Sequence, residues 1–288
     1  MIKPVLSDQT FLADVSRARQ EPGMLSLWWL GQSGYLVHWQ GRFLLLDPYL
    51  SDSLTEKYAN TDKPHVRMTE RVIAPERLDF VDVVTSSHNH TDHLDAATLG
   101  PLLRANPRMK LVIPEANRSF VAERLGISPW IPLGLWDGES VTVAGFKITG
   151  VPAAHEALDT DARGRHHYMG YVIEAGPWTL YHSGDTVRYD GMAERLRQWS
   201  IDIALLPING SKPERRVAGN LDGREAAQLA HDIGAGLVIP CHYEMFEFNT
   251  ASPDEFVASC ERLGQPYRVL RAGERLSGDE VRVPQETS

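Results

Sequence analysis

A single mixed α/β (α+β) domain spanning residues 1–288 is the fold class that the sequence predicts. Three observations predict it. Short β-like runs recur from one end of the chain to the other, helical patterns separate most of the later ones, and no repeat, low-complexity linker or composition break divides the chain. A chain of 288 residues is also long enough to bury a full core.

The elements follow in order. "LSLWWLG", "GYLVHW" and "RFLLLD" lie close together, as in an antiparallel meander. After them "VDVVTSS", "MKLVIP", "VTVAGFKITGVP", "GYVIEAG", "WTLYHSG", "DIALLP" and "GLVIP" read as strands alternating with helices. Two helix starts carry capping signals. Asp222 stands three residues before Glu225, and Ser252-Pro253-Asp254-Glu255 combines a cap pattern with proline at the first helical position. Cys260 shares an apolar helical face with Phe256 and Leu263, which makes it a core residue.

Composition excludes several function classes. "MIKPVLSDQT" lacks the cationic start and apolar core of a signal peptide, and no apolar run approaches the roughly 20 residues that span a bilayer. Two cysteines, Cys241 and Cys260, rule out a disulfide framework and fit a reducing cytoplasm. A net charge of −9 argues against nucleic acid and anionic membranes as partners. A small molecule is the expected partner, and the sequence leaves a homo-oligomer open.

The chemistry concentrates in "TSSHNHTDH", residues 85–93, directly after an apolar run. In an extended segment residues two apart project to one side, so His88, His90 and Asp92 share a direction. A turn into the helix expected from Leu94 can swing His93 in as well. Imidazoles and a carboxylate converging on one point suit a borderline divalent cation such as zinc, with manganese or iron also tolerated. His155, Asp185 and His242 each follow a predicted strand, where loops carry function on a rigid sheet. Seven ligand-type residues are too many for one catalytic metal with about three protein ligands. They suit two metals sharing one ligand. A neutral imidazole has a single lone pair to give, so the shared ligand is a carboxylate, Asp92 or Asp185.

The pattern His88-Asn89-His90-Thr91-Asp92-His93, followed in order by His155, Asp185 and His242, resembles the metallo-β-lactamase superfamily. The resemblance implies a four-layer αββα sandwich with two metals at one edge. It implies His88, His90 and His155 on the first metal, Asp92, His93 and His242 on the second, and Asp185 between them. "LWWLGQSGYL", "YHSGDT", "LLPING" and "VIPCHYEMFEFN" are similar to the branch that contains ascorbate-6-phosphate lactonase. True di-zinc β-lactamases carry a cysteine where this chain has Asp185, and flavodiiron enzymes carry a glutamate in place of His90 and a flavin domain besides. The RNA-processing members usually add an RNA-binding arm, which is not visible here.

The function expected is hydrolysis of a lactone or other ester-like bond by hydroxide formed between two cations about 4 Å apart. Asp92 or Asp185 orients the nucleophile or carries its proton. A phosphodiesterase with the same centre is the enzymatic alternative, and a metal-stabilised binding module the non-enzymatic one. Asp47, ending "FLLLD", is either an acceptor for a ligand imidazole or a plain turn residue. His182 reads as a packed strand residue. For the substrate, the stretch Ser51 to Arg71 is long for a connection and carries Lys57, Lys63, His65, Arg67 and Arg71. Two later loops carry Arg163, Arg165, His166 and His167, and Lys212, Arg215 and Arg216. These basic loops point to a small anionic substrate, with Arg165, His167, Arg215, Arg216 and Tyr243 as its expected contacts. Phe246 and Asn249 are expected beside Tyr243 in the pocket wall.

Overall fold

The β-rich start of the chain forms the meander β1 (Ser26–Gly31), β2 (Gly34–Trp39) and β3 (Arg42–Leu46), preceded by helix α1 (Asp8–Ala18). In this computed structural model residues 1–282 are described, so residues 283–288 of the expected domain lie outside the described residues. After α2 (Ser53–Tyr58), three short strands join β3 in parallel: β4 (Val83–Thr85), β5 (Lys110–Pro114) and β6 (Leu133–Leu135). Helices α3 (Ala96–Ala105) and α4 (Arg118–Leu125) make the crossovers that parallel pairing requires.

The second sheet repeats this plan. The antiparallel strands β7 (Ser140–Val143), β8 (Phe146–Pro152), β9 (Met169–Ala175) and β10 (Trp178–His182) come first. Helix α5 (Met192–Leu196) then leads to the parallel strand β11 (Ile203–Pro207), and α6 (Gly223–Asp232) leads to β12 (Leu237–Cys241). Helix α7 (Asp254–Leu263) precedes β13 (Arg275–Ser277), which returns to pair with β1, and α8 (Gly278–Arg282) follows. The sheet orders are β13-β1-β2-β3-β4-β5-β6 and β12-β11-β10-β9-β8-β7.

The expected run "VTVAGFKITGVP" is two strands rather than one. Ala144 (φ 50°) and Gly145 (φ 83°) both take positive φ, the two-residue turn whose twist matches a hairpin. Strands β6 and β13 were not expected, because three residues are too few to show a period.

The sheets pack face to face over one hydrophobic cluster that draws on both. Buried polar bonds cross between them: Tyr35 Oη donates to Pro240 O (3.2 Å), Tyr171 Oη to Ser86 O (2.9 Å) and His182 Nε2 to Ser33 O (2.9 Å). His182 is a packed strand residue, as expected, and its bond also ties the two sheets. Helices cover the outer faces, so β1, β11 and β12 are buried throughout and read as unbroken apolar runs. On one side Trp28 Nε1 donates to Asp14 of α1 (2.8 Å). On the other, Gly223 lets α6 approach α7 so closely that a Cβ there would lie 2.7 Å from Phe256 N. Cys260 is buried on α7, in the same core cluster as Phe256.

The Asp222–Glu225 capping box is formed in both directions, at 2.7 and 3.0 Å. The Ser252 pattern is realised differently: α7 starts at Asp254 with Pro253 as its cap residue, and Ser252 Oγ donates to the Asp254 carboxylate (2.6 Å). Asp222→Ala is expected to lower stability by about 1 kcal/mol in urea denaturation with the slope unchanged. An unshifted midpoint would mean that the cap contributes nothing.

Candidate metal centre

Four strand ends from both sheets deliver the clustered side chains. His88 to His93 follow β4, His155 follows β8, Asp185 follows β10 and His242 follows β12. Two groups form. His88, His90 and His155 bring one ligand atom each within 4.8 Å of one another, and so do Asp92, His93, Asp185 and His242. All seven residues expected from the sequence thus converge.

Asp185 touches members of both groups. Its Oδ1 lies 3.2 Å from His93 Nε2, and its Oδ2 lies 3.3 Å from His242 Nε2 and 3.7 Å from His155 Nε2. Asp92 lies 3.5 Å from His93 Nε2 and 3.4 Å from His242 Nε2, both in the second group.

The rings are oriented from behind. His93 Nδ1 donates to Asp47 (2.8 Å), His155 Nδ1 to Gly219 O (2.9 Å), and His88 Nδ1 faces Ser87 Oγ (3.0 Å). Each anchor leaves Nε2 turned to the centre, the tautomer a metal ligand needs. Asp47 is wholly buried and also accepts from Thr85 Oγ1 (2.9 Å), Ser87 N (3.1 Å) and Ser87 Oγ. Of the two expectations for Asp47, the structure places it on an imidazole.

The donor set fits divalent cations. His88 Nε2, His93 Nε2 and Asp185 Oδ1 are buried without hydrogen-bond partners. His93 Nε2 and Asp185 Oδ1 lie 3.2 Å apart yet are not aligned to bond each other. Atoms aimed past one another at a common point are what a cation would satisfy.

Without a cation the charges are strongly coupled. Burial would lower His242, but the carboxylates of Asp185 and Asp92 raise it to about 9, and His93 is likewise raised well above its usual range. Burial would raise Asp92 and Asp185, yet the neighbouring imidazoles hold both well below the carboxylate range. His88 is lowered well below 6.5 by burial and by His93 and His90.

The substrate expectations fare differently. A cavity of about 350 Å³ opens over the centre, and Lys57, Lys63, His65, Arg124, Arg216 and Phe246 are among its walls. Four expected contacts are not. Arg165 is held by Asp161 (2.5 Å) and Glu115 (3.6 Å), and His167 by Asn117 (3.0 Å). Arg215 is buried, donating to Asn209 O (2.6 Å) and Thr250 O (2.6 Å). Tyr243 stacks on Trp29 at 4.5 Å in the core. Of the five, Arg216 alone lines the cavity; Phe246 and Asn249 do so as expected. Arg67 and Arg71 bond backbone carbonyls instead. The sequence reading missed Gln32 and Arg124. Gln32 sits between two glycines after a strand, a visible turn signal, whereas nothing local distinguishes Arg124.

The family model "Beta-lactamase superfamily domain" matches residues 42–243. The chain belongs to the beta-lactamase superfamily. It is similar to a "UPF0173 metal-dependent hydrolase" of Hyperthermus butylicus, 29% identical over 250 residues, covering 85% of this chain and 96% of that one. Among solved structures it resembles Igni18, a "novel metallo hydrolase" of Ignicoccus hospitalis, with TM-score 0.64, 23% identity and coverage of 88% and 98%. It also resembles an isothiocyanate hydrolase from Delia radicum gut bacteria, with TM-score 0.68, 19% identity and coverage of 87% and 98%. These structural likenesses establish the superfamily's sandwich; they do not identify a substrate. Among the described residues no helix is long and apolar enough to cross a membrane.

The raised His242 has a measurable consequence. Its folded value of about 9 lies above the ordinary 6.5, so the charged ring stabilises the metal-free fold fully below pH 6.5 and loses that effect as pH rises through 9. Chelator-stripped protein should therefore lose up to about 3 kcal/mol between pH 6.5 and 9.5. Zinc-loaded protein should not, since metal binds neutral imidazole. A flat thermal midpoint for the stripped protein across that range would contradict the coupling.

Proposed function

We propose that this superfamily member is a metal-dependent hydrolase with two divalent cations. In this reading His88, His90 and His155 hold one, Asp92, His93 and His242 hold the other, and Asp185 bridges them. Zinc is the first choice for a histidine-rich set, with manganese or iron tolerated. The observation that carries the reading is the position of Asp185, whose two oxygens face members of both groups. Its similarity to metal-dependent hydrolases supports the same class of reaction.

When bound, such a pair of cations would make water acidic enough to act as a nucleophile near neutral pH and would polarise the oxygen of the bond under attack. The chain supplies the rest. Asp185 and Asp92 would orient the nucleophile or carry its proton, since their oxygens lie 3.2–3.5 Å from the ring nitrogens of the same centre. The buried anchors Asp47 and Gly219 O fix two of the rings before substrate arrives.

The cavity favours a small anionic substrate with a lactone or other ester-like bond. Lys57 and Lys63 come from the segment around α2, and Arg216 comes from the loop after β11. Lys57 makes no ion pair among the described residues, and Lys63 Nζ bonds only the Arg216 carbonyl (2.5 Å). Arg216 is paired with Asp62, but the two lysines have no carboxylate partner among the described residues, and in a protein of net charge −9 they sit where an anion would be held. The segment is fastened by a small cluster of its own, Leu54 on Tyr49, Met245 and Phe246, and by Tyr58 stacked on His65 at 4.4 Å.

Two experiments test the reading. Asp185→Asn should cut turnover about 100-fold or more and lower bound metal below two equivalents, because a neutral amide bridges cations poorly. Full turnover with full metal would remove the bridge. Lys57→Ala should cost about tenfold or more in kcat/KM on an anionic ester relative to its neutral analogue, at unchanged metal content. Arg165→Ala should leave that ratio alone. Equal losses on both esters, or preference for phosphodiesters in the wild type, would overturn the substrate class.

A further inference from the structure

The tight turn between β1 and β2 contains Gln32 in the left-handed region, at φ 52°, after Gly31 at φ 94°. A non-glycine residue held there is strained and needs a local reason. Its backbone carbonyl accepts from His242 N (3.0 Å) and Trp29 Nε1 (3.0 Å), so the turn is fastened to the loop that carries His242. His242 is itself at φ 62°. The Gln32 side chain is 1% exposed and reaches into the wall of the cavity. There its Nε2 donates to Asp92 Oδ2 (2.8 Å) and lies 2.9 Å from His242 Nε2. Its other end, Oε1, is buried with no partner. A glutamine retained for core stability would satisfy both ends, since an orphaned buried amide oxygen is destabilising.

We propose that Gln32 is a positioning residue for the Asp92 half of the metal centre, its amide holding the Asp92 carboxylate turned toward the second cation. The proposal rests on the two-cation reading. Asp92 is a candidate ligand that gains from such a hold. His93 and His155 have anchors behind them, Asp47 and Gly219 O, whereas Asp92 lies on a loop and is partly exposed. The amide supplies from the first sheet what the loop itself lacks. It suits this task because a neutral donor steadies a carboxylate without adding charge beside the cation.

The test is stepwise zinc titration of stripped protein against a chromophoric chelator. Gln32→Met keeps the length and removes the donor, and Gln32→Asn keeps the amide and tolerates positive φ but is too short to reach Asp92. Wild type should show two binding steps. In both variants one of the two steps should lose about tenfold or more, with the other within about twofold. The thermal midpoint of stripped Gln32→Met should be no lower than that of wild type. A variant with a lower midpoint and two unchanged affinities would make Gln32 a packing residue. A tightened second step would make it a competitor of the metal, and either result overturns the proposal. Two steps in wild type with an unaffected Gln32→Met would sink this assignment alone. A single step in wild type would sink the two-cation reading and this assignment with it.

Discussion

The Asp47 carboxylate, wholly buried at the end of β3, is the point at which the sheet becomes a site. It accepts from Thr85 and Ser87 at the end of the neighbouring β4 and from the Nδ1 of His93. One anion therefore fixes the strand end from which the loop His88 to His93 departs and the tautomer of a ring within it. Burying a carboxylate is expensive unless it is fully hydrogen-bonded. Burial would raise its pKa, yet His93, His182 and the Ser87 hydroxyl hold it below the usual value. With that anchor lost, His93 would be free to rotate and Ser87 N would be orphaned.

From that anchor outward the architecture explains why so many titratable groups can coexist. Five imidazoles and two carboxylates, most of them buried, would repel or collapse into ion pairs if each were free to move. They sit close after rigid strand ends in both sheets, so the side chains are held at 3.2–3.7 Å from one another rather than closing on each other. The strain collects in the turns nearby, where Gln32, Asp47, His242 and Glu244 all take positive φ. The convergence of strained turns and unpaired buried nitrogens at one edge matches the placement of function at strand ends.

The cavity above the centre is built from a different kind of material. Arg124 comes from α4; the other cations sit on α2, on the segment after it and on the loop after β11, joined by the Lys63 bond to the Arg216 carbonyl and by the Arg216–Asp62 pair. The covering segment rests on a satellite cluster instead of the main core. The cavity's lysines and Arg216 are thus carried by segments other than those that bear the clustered histidines and aspartates.

The sequence by itself determined the features that depend on local order. His88, His90, Asp92 and His93 were legible because strand parity and a following turn place them together, and His155, Asp185 and His242 because each follows an apolar run. The meander, most of the strands and the Asp222 cap were legible for the same reason. Tertiary structure decided whatever depends on a partner far along the chain. Arg165 and Arg215 look like Arg216 in sequence, but Asp161 takes the first, carbonyls of Asn209 and Thr250 take the second, and Arg216 reaches the cavity. Tyr243 turned inward because Trp29 offers a stacking face, and Arg124 reached the histidine loop only through the fold, donating to Leu94 O (3.3 Å). Gln32 shows the division most clearly: its turn was visible between two glycines, but its carboxylate partner lies sixty positions away. A charge or an amide is neutral information until its neighbours are known, because interactions between polar groups depend on distance and burial, and neither is encoded by local order.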